Sequence, residues 1–104
     1  MEVLEKKEQL NQLFDLYQNL LTEKQVKYFE LYYHEDYSLQ EISEIFDVSR
    51  NAVFDQLKKV EEHLFHYEEK LNLLSQQIDR LKLIDKIIET KDLSLLEILR
   101  KLDE

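Results

Sequence analysis

The 104-residue sequence contains no glycine, no proline and no cysteine. Without glycine, the positive-φ turns of tight hairpins and the backbone cradles that hold phosphate are both missing. The nucleophile elbow and the P-loop need glycine too, so neither can be built. Without cysteine there is no thiolate chemistry. No apolar run approaches the ~18 residues that would span a membrane, and the stretch from Met1 to Lys7 is charged. These features predict no membrane insertion, no secretory signal and a cytoplasmic location. Basic residues are also scarce: 14 stand against 23 acidic ones, a net charge of −9. Such a balance opposes nonspecific attraction to nucleic acid or anionic membranes, so any contact with a polyanion has to be local. What remains is one small domain's worth of chain with an all-α fold.

Helix boundaries must be read from caps and from the phase of the apolar residues, because the usual breakers are absent. Between Val3 and Leu21, the residues Leu10, Leu13, Phe14, Tyr17, Leu20 and Leu21 form one amphipathic stripe. Thr22 with Gln25 matches a capping box and predicts a second helix from Glu23 to about His34. Ser38 with Glu41 is a second box, opening a short helix that holds Leu39, Ile42 and Ile45. A corner at Phe46, Asp47, Val48 and Ser49 follows, with Ser49 capping a helix that starts at Arg50. From there Val53, Leu57, Val60, Leu64, Tyr67, Leu71, Leu74, Ile78 and Leu81 alternate four and three apart. The pattern predicts one long helix whose stripe either packs back on the other helices or makes a homodimer seam through Leu64, Leu71, Leu74, Ile78 and Leu81. Asp85 interrupts the heptad, so the helix is expected to bend, end or change partner there. Ser94 with Glu97 predicts a cap for a last short helix. The organisation is a helix-turn-helix domain over 1–68 and a helical C-terminal extension over 69–104.

Two short helices joined by a corner of about four residues form the helix-turn-helix arrangement. Val48 is expected to plug the gap between them, and Ile42, Ile45, Val53 and Leu57 to build the shared core. By exclusion, Arg50, Asn51, Phe54, Asp55 and Lys58 face outward. Arginine can fork onto guanine, asparagine onto adenine, and phenylalanine can touch a thymine methyl. Residues 1–48 carry a net −7, residues 49–60 a net +2 and residues 61–104 a net −4. The basic segment thus coincides with the second helix, making Ser49, Arg50, Asn51, Phe54, Lys58 and Lys59 the candidate nucleic-acid contacts, with duplex DNA as one partner class.

Leu21-Thr22-Glu23-Lys24-Gln25, Glu30-Leu31-Tyr32-Tyr33, Asp36-Tyr37-Ser38-Leu39-Gln40-Glu41-Ile42 and Val48-Ser49-Arg50-Asn51-Ala52-Val53-Phe54-Asp55 together resemble the YlxM family of bacterial signal-recognition-particle-associated proteins. The similarity covers about residues 1–90. More distantly, Gln25 to Leu64 resembles region 4 of a sigma factor, the part that reads promoter DNA. The resemblance implies a sigma-region-4-like helix-turn-helix headpiece without a wing, carrying a helical C-terminal extension. It also implies an accessory or regulatory role in the signal recognition particle pathway, with the particle's protein or RNA as partner. Asp47 departs from the pattern, since such corners usually hold glycine.

Other constellations point elsewhere less well. Tyr28, Phe29, Tyr32, Tyr33 and Tyr37 could stack on bases, but Glu30, Glu35 and Asp36 surround them, which favours core and hydroxyl-anchoring roles. His63 and His66 sit one helical turn apart beside Glu62, yet nothing completes a metal site. The 23 acids are scattered at helical spacing and mark no acid-base pair. The sequence therefore predicts no cofactor, no metal and no enzymatic activity.

Overall fold

The computed structural model describes residues 3–102; Met1, Glu2, Asp103 and Glu104, which the expected domain limits include, lie outside it. Six α-helices and no strands make up the described chain: α1 (Val3–Tyr17), α2 (Glu23–Phe29), α3 (Leu39–Phe46), α4 (Arg50–Leu71), α5 (Leu73–Thr90) and α6 (Leu95–Leu102). The all-α class thus holds. Two compact units divide the chain, Met1–Lys70 and Leu71–Glu104.

In the headpiece, local hydrogen bonds set where helices begin. Thr22 Oγ1 accepts from the Gln25 amide at 3.1 Å, and Gln25 Oε1 accepts from the Thr22 amide at 3.1 Å. Ser38 and Glu41 make the same reciprocal pair at 3.1 and 3.0 Å. Ser49 Oγ accepts from the Ala52 amide at 3.0 Å, starting α4. α1 ends in one 3-10 turn, Gln18–Leu20, and α2 widens into a π turn over Glu30–His34. The wider turn is closed by the Glu35 amide on the Glu30 carbonyl at 3.0 Å.

Corners that would normally use glycine are made here by four other residues in the left-handed region: Asp36 (φ 59°), Asp47 (φ 53°), Asn72 (φ 56°) and Lys91 (φ 58°). Each lies between two helices. Asp47 ends α3, and the Val48 amide reaches back to the Ser43 carbonyl at 3.0 Å.

The headpiece core is built from α1 (Leu10, Leu13, Phe14, Tyr17), α2 (Tyr28, Phe29), α3 (Ile42) and α4 (Val53, Leu57, Val60, Leu64), all buried. Phe14 and Phe29 stack at 4.2 Å with rings 5° from parallel. Around Tyr28, Ile42, Val53 and Leu57 pack Leu31, Tyr33, Leu39, Phe46 and Val48. Val48 therefore fills the corner as expected. Ile45 does not join: it is 55% exposed, and Phe46, expected in the corner, is instead the last residue of α3 and packs on the core in its place, its ring 4.6 Å from Tyr28.

Three further expectations are corrected. The stripe from Arg50 is not one helix, because Asn72 turns left-handed and splits it into α4 and α5. Of the outcomes expected at Asp85, an end is excluded, because α5 continues through it to Thr90. Ser94 does not cap α6 as a box; its hydroxyl donates to Asp92 Oδ1 at 2.6 Å, and its amide to the same oxygen at 3.0 Å. Those two bonds hold the Asp92 carboxyl below its usual range. Within the C-terminal unit α5 and α6 pack together, and Leu83, Ile87, Leu95 and Leu99 are half-buried.

Candidate nucleic-acid interface

Helix α4 presents two outward ridges, because residues four apart stack along a helix surface. Arg50, Phe54 and Lys58 form one, and Asn51, Asp55 and Lys59 the other; all six are exposed. Phe54 is 53% exposed, a large apolar area to leave in water beside two cations. Arg50, Lys58 and Lys59 have no ion pair among the described residues. The structure therefore places the predicted contacts on one side of α4 with their charges uncommitted. Ser49 differs from the rest, since its hydroxyl already serves the α4 cap.

Beside this ridge lies an open groove of about 320 Å³, lined by Phe54, Leu57, Lys58 and Glu61 of α4, Lys6 of α1, Tyr32 and Tyr33 of the π turn, and Leu39. Glu61 organises its wall. The Tyr33 hydroxyl donates to Glu61 Oε1 at 2.6 Å, and Lys6 Nζ lies 3.5 Å from Oε2. Burial, and then the bond to the Glu61 carboxylate, push the Tyr33 phenol well above the usual tyrosine range. A second bond of this kind lies farther along α4, where the Tyr17 hydroxyl donates to Glu68 Oε1 at 2.8 Å. Tyr32 stays exposed at the groove mouth.

The sequence did not single out Lys6 and Glu61 as neighbours of Phe54. They are 55 positions apart on different helices, and no local spacing could have joined them. Of the aromatic cluster, Tyr28 and Phe29 are core, Tyr33 anchors through its hydroxyl, and Tyr32 and Tyr37 are exposed. His63 and His66 are exposed beside the Tyr67 ring. No group of three metal-ligating side chains forms among the described residues.

The expected dimer contacts fall into two groups. Leu64 is fully buried in the headpiece core and Leu74 is 7% exposed, so neither is open to a second molecule in the single chain. Leu71, Ile78 and Leu81 are exposed. No described helix is long and apolar enough to cross a membrane.

Comparison with known proteins gives a family match over residues 4–102, to the UPF0122 helix-turn-helix proteins described as YlxM/p13-like. A UPF0122 protein of Oceanobacillus iheyensis is 50% identical over 103 residues, covering 98% of both chains. One from Streptococcus pneumoniae is 48% identical over 86 residues, covering 83% of this chain and 78% of its own. The YofM protein of Lactococcus lactis is 42% identical with the same coverage.

Proposed function

The chain belongs to the UPF0122 family of YlxM/p13-like helix-turn-helix proteins, and on that premise we propose that it is a non-enzymatic accessory of the signal recognition particle pathway. In this reading α4 engages the particle through its RNA, its protein or both. The observation that carries it is the α4 ridge: Arg50, Phe54 and Lys58 exposed in line, within the net-basic segment of an otherwise acidic headpiece. Exposed cations flanking an aromatic face suit a phosphate backbone next to an accessible base. The acidic remainder of the surface suits a basic protein partner and discourages nonspecific nucleic-acid binding. The reading places the protein in the cytoplasm and includes self-association through the C-terminal unit.

The residue set gives no support to catalysis. Glycine-dependent phosphate and nucleophile loops are absent from the sequence. A second reading, a DNA-binding transcription regulator, draws on Arg50 and Asn51 in the first turn of α4, where a recognition helix meets base edges.

Affinity capture from cell extract, run with and without nuclease, separates these readings. Recovery of the particle's protein or RNA is the expected result. Loss of that recovery on nuclease treatment assigns the contact to RNA, and its persistence assigns it to protein. Recovery of neither, with tight binding to a defined duplex, transfers the function to DNA.

A further inference from the structure

The C-terminal unit, Leu71–Glu104, is 34 residues long, and a helical pair of that size has few ways to be stable. Below about 40 residues a domain usually needs disulfides, a metal or association with another chain. Cysteine is absent from the sequence, and the described residues form no metal-ligating group. Packing against a further surface, of the same chain or of a second molecule, is the remaining route.

The surface of α5 and α6 is built accordingly. The half-buried seam of the pair uses Leu83, Ile87, Leu95 and Leu99. A separate row on α5 is left in water: Ile78 (39% exposed), Leu81 (53%), Ile84 (37%) and Ile88 (69%). Their spacings of three and four put them along one side of the helix. On α6, Ile98 (50%) and Leu102 (37%) add to the uncovered aliphatic surface. Scattered single aliphatics are ordinary on a surface, but six on two short helices are not. At roughly 60–120 Å² for a fully buried aliphatic side chain, these half-exposed six supply on the order of 300 Å² per chain. A standard dimer interface takes about 800 Å² per partner, a little over half of it apolar, so this row makes the centre of one.

We propose that this face is covered by a second copy of the same chain, the two α5–α6 hairpins pairing as a four-helix bundle. Charge favours a copy over a foreign protein. The headpiece, residues 1–70, carries a net −8, whereas residues 71–104 carry six basic and seven acidic side chains, a net −1. A nearly neutral unit exerts no net field to recruit a partner of one sign. Its charges are mixed instead: Asp79, Asp85 and Glu89 are interspersed with Lys82 and Lys86 on α5, and Glu97 precedes Arg100 and Lys101 on α6. Two copies of a unit of net −1 meet without the repulsion that two units of net −8 would feel, which a self-complementary contact between like surfaces requires. The contact therefore moves from the Leu64–Leu81 stripe to Ile78–Ile88 with Ile98 and Leu102. This inference deepens the self-association in the proposed function and does not depend on the particle.

Sedimentation of the full chain between 1 and 50 µM, without nucleic acid, is the test. The expected species is a dimer of twice the 12.8 kDa chain mass. The doubly substituted Leu81→Lys, Ile88→Lys chain should dissociate at least tenfold more readily while its far-ultraviolet circular dichroism keeps the headpiece helices. If that chain loses its helicity, the milder Leu81→Ala, Ile88→Ala pair, which preserves helix propensity, should still weaken the dimer at least threefold. Ile45→Lys, on the headpiece, should leave the dimer intact. A monomeric wild type at 50 µM, whether or not it binds another protein, overturns the proposal. So does a dimer that survives both α5 double substitutions or is dissolved by Ile45→Lys. Failure of the capture experiment leaves the measured mass untouched, so the two results are distinguishable.

Discussion

Asp47, held at φ 53° and ψ 49°, occupies a conformation that costs a residue with a Cβ about 1–2 kcal/mol and a glycine almost nothing. Glycine also loses more backbone freedom on folding, which offsets part of the relief. Asp47→Gly is therefore expected to stabilise the protein by up to about 1 kcal/mol, read as a raised Tm. A fall instead would mean that the carboxylate makes a bond the corner needs. The Asp47 geometry was legible in the sequence because aspartate tolerates the left-handed region and sits between two helix signals; Lys91, which does the same at the end of α5, carries no such signal. Tyr33 gives a residue-scale prediction of a different kind. Its phenol is held neutral in the fold by burial and by the Glu61 carboxylate, while in the unfolded chain it ionises near pH 10. Above that pH the unfolded state binds fewer protons than the folded one, so stability falls as pH rises through the unfolded value. Wild type should lose Tm between pH 9.5 and about 11 more steeply than Tyr33→Phe. At pH 7 the variant should be weaker by about 1–2 kcal/mol, because a hydrogen bond to a charged acceptor is gone.

Elements were legible where the signal is local. Thr22 with Gln25 and Ser38 with Glu41 lie three residues apart, and both bonds of each box form. The break at Asn72 was not legible, since asparagine falls on a polar position of an uninterrupted heptad and no glycine marks the turn. Ile45 and Phe46 show another limit. Adjacent residues at the margin of an amphipathic face satisfy the same periodicity, and only packing against Tyr28 decides that Phe46 goes inward. This difference is measurable. Val48→Asp places a charge against the Tyr28, Ile42, Val53 and Leu57 cluster and should cost about 1–3 kcal/mol in urea unfolding. Ile45→Asp, at an exposed position, should change stability by no more than about 0.5 kcal/mol. Equal losses would show that the corner is packed by Ile45 after all. Glu41 adds a pH dependence to α3, because the Ser38 amide and hydroxyl hold its carboxyl below the usual range. That contribution is present above the unfolded carboxylate value and disappears as pH falls through the lower folded one.

At the scale of the whole molecule, the proposed contact of a chain of net charge −9 with a polyanion runs through α4. In that proposal Arg50, Lys58 and Lys59 would neutralise at most three phosphates per chain, so log affinity against log salt should have a slope no steeper than about −3 per chain. Lys58→Ala should weaken every nucleic-acid sequence alike and shallow the slope by about 1, whereas Arg50→Ala, if it reads a guanine edge, should lose about 1–3 kcal/mol at that base alone. Fluorescence anisotropy at several salt concentrations distinguishes the two. The outward α4 residues were legible by exclusion, but the groove beside them was not, because Lys6, Tyr33 and Glu61 meet only after α1 has docked. That docking spans much of the chain: the Tyr17–Glu68 hydrogen bond joins residues 51 positions apart. A ribosome adds about 5–20 residues per second, so roughly 3–10 s separate the synthesis of the two partners. Helices form within about a microsecond, but one of 15 residues without its partners is marginal in water, so α1 waits as a fluctuating amphipathic segment until its core is made. The newborn chain spends those seconds with Leu10 and Leu13 lacking their α4 neighbours, and the charged run Glu5-Lys6-Lys7-Glu8 ahead of them keeps the waiting segment in solution.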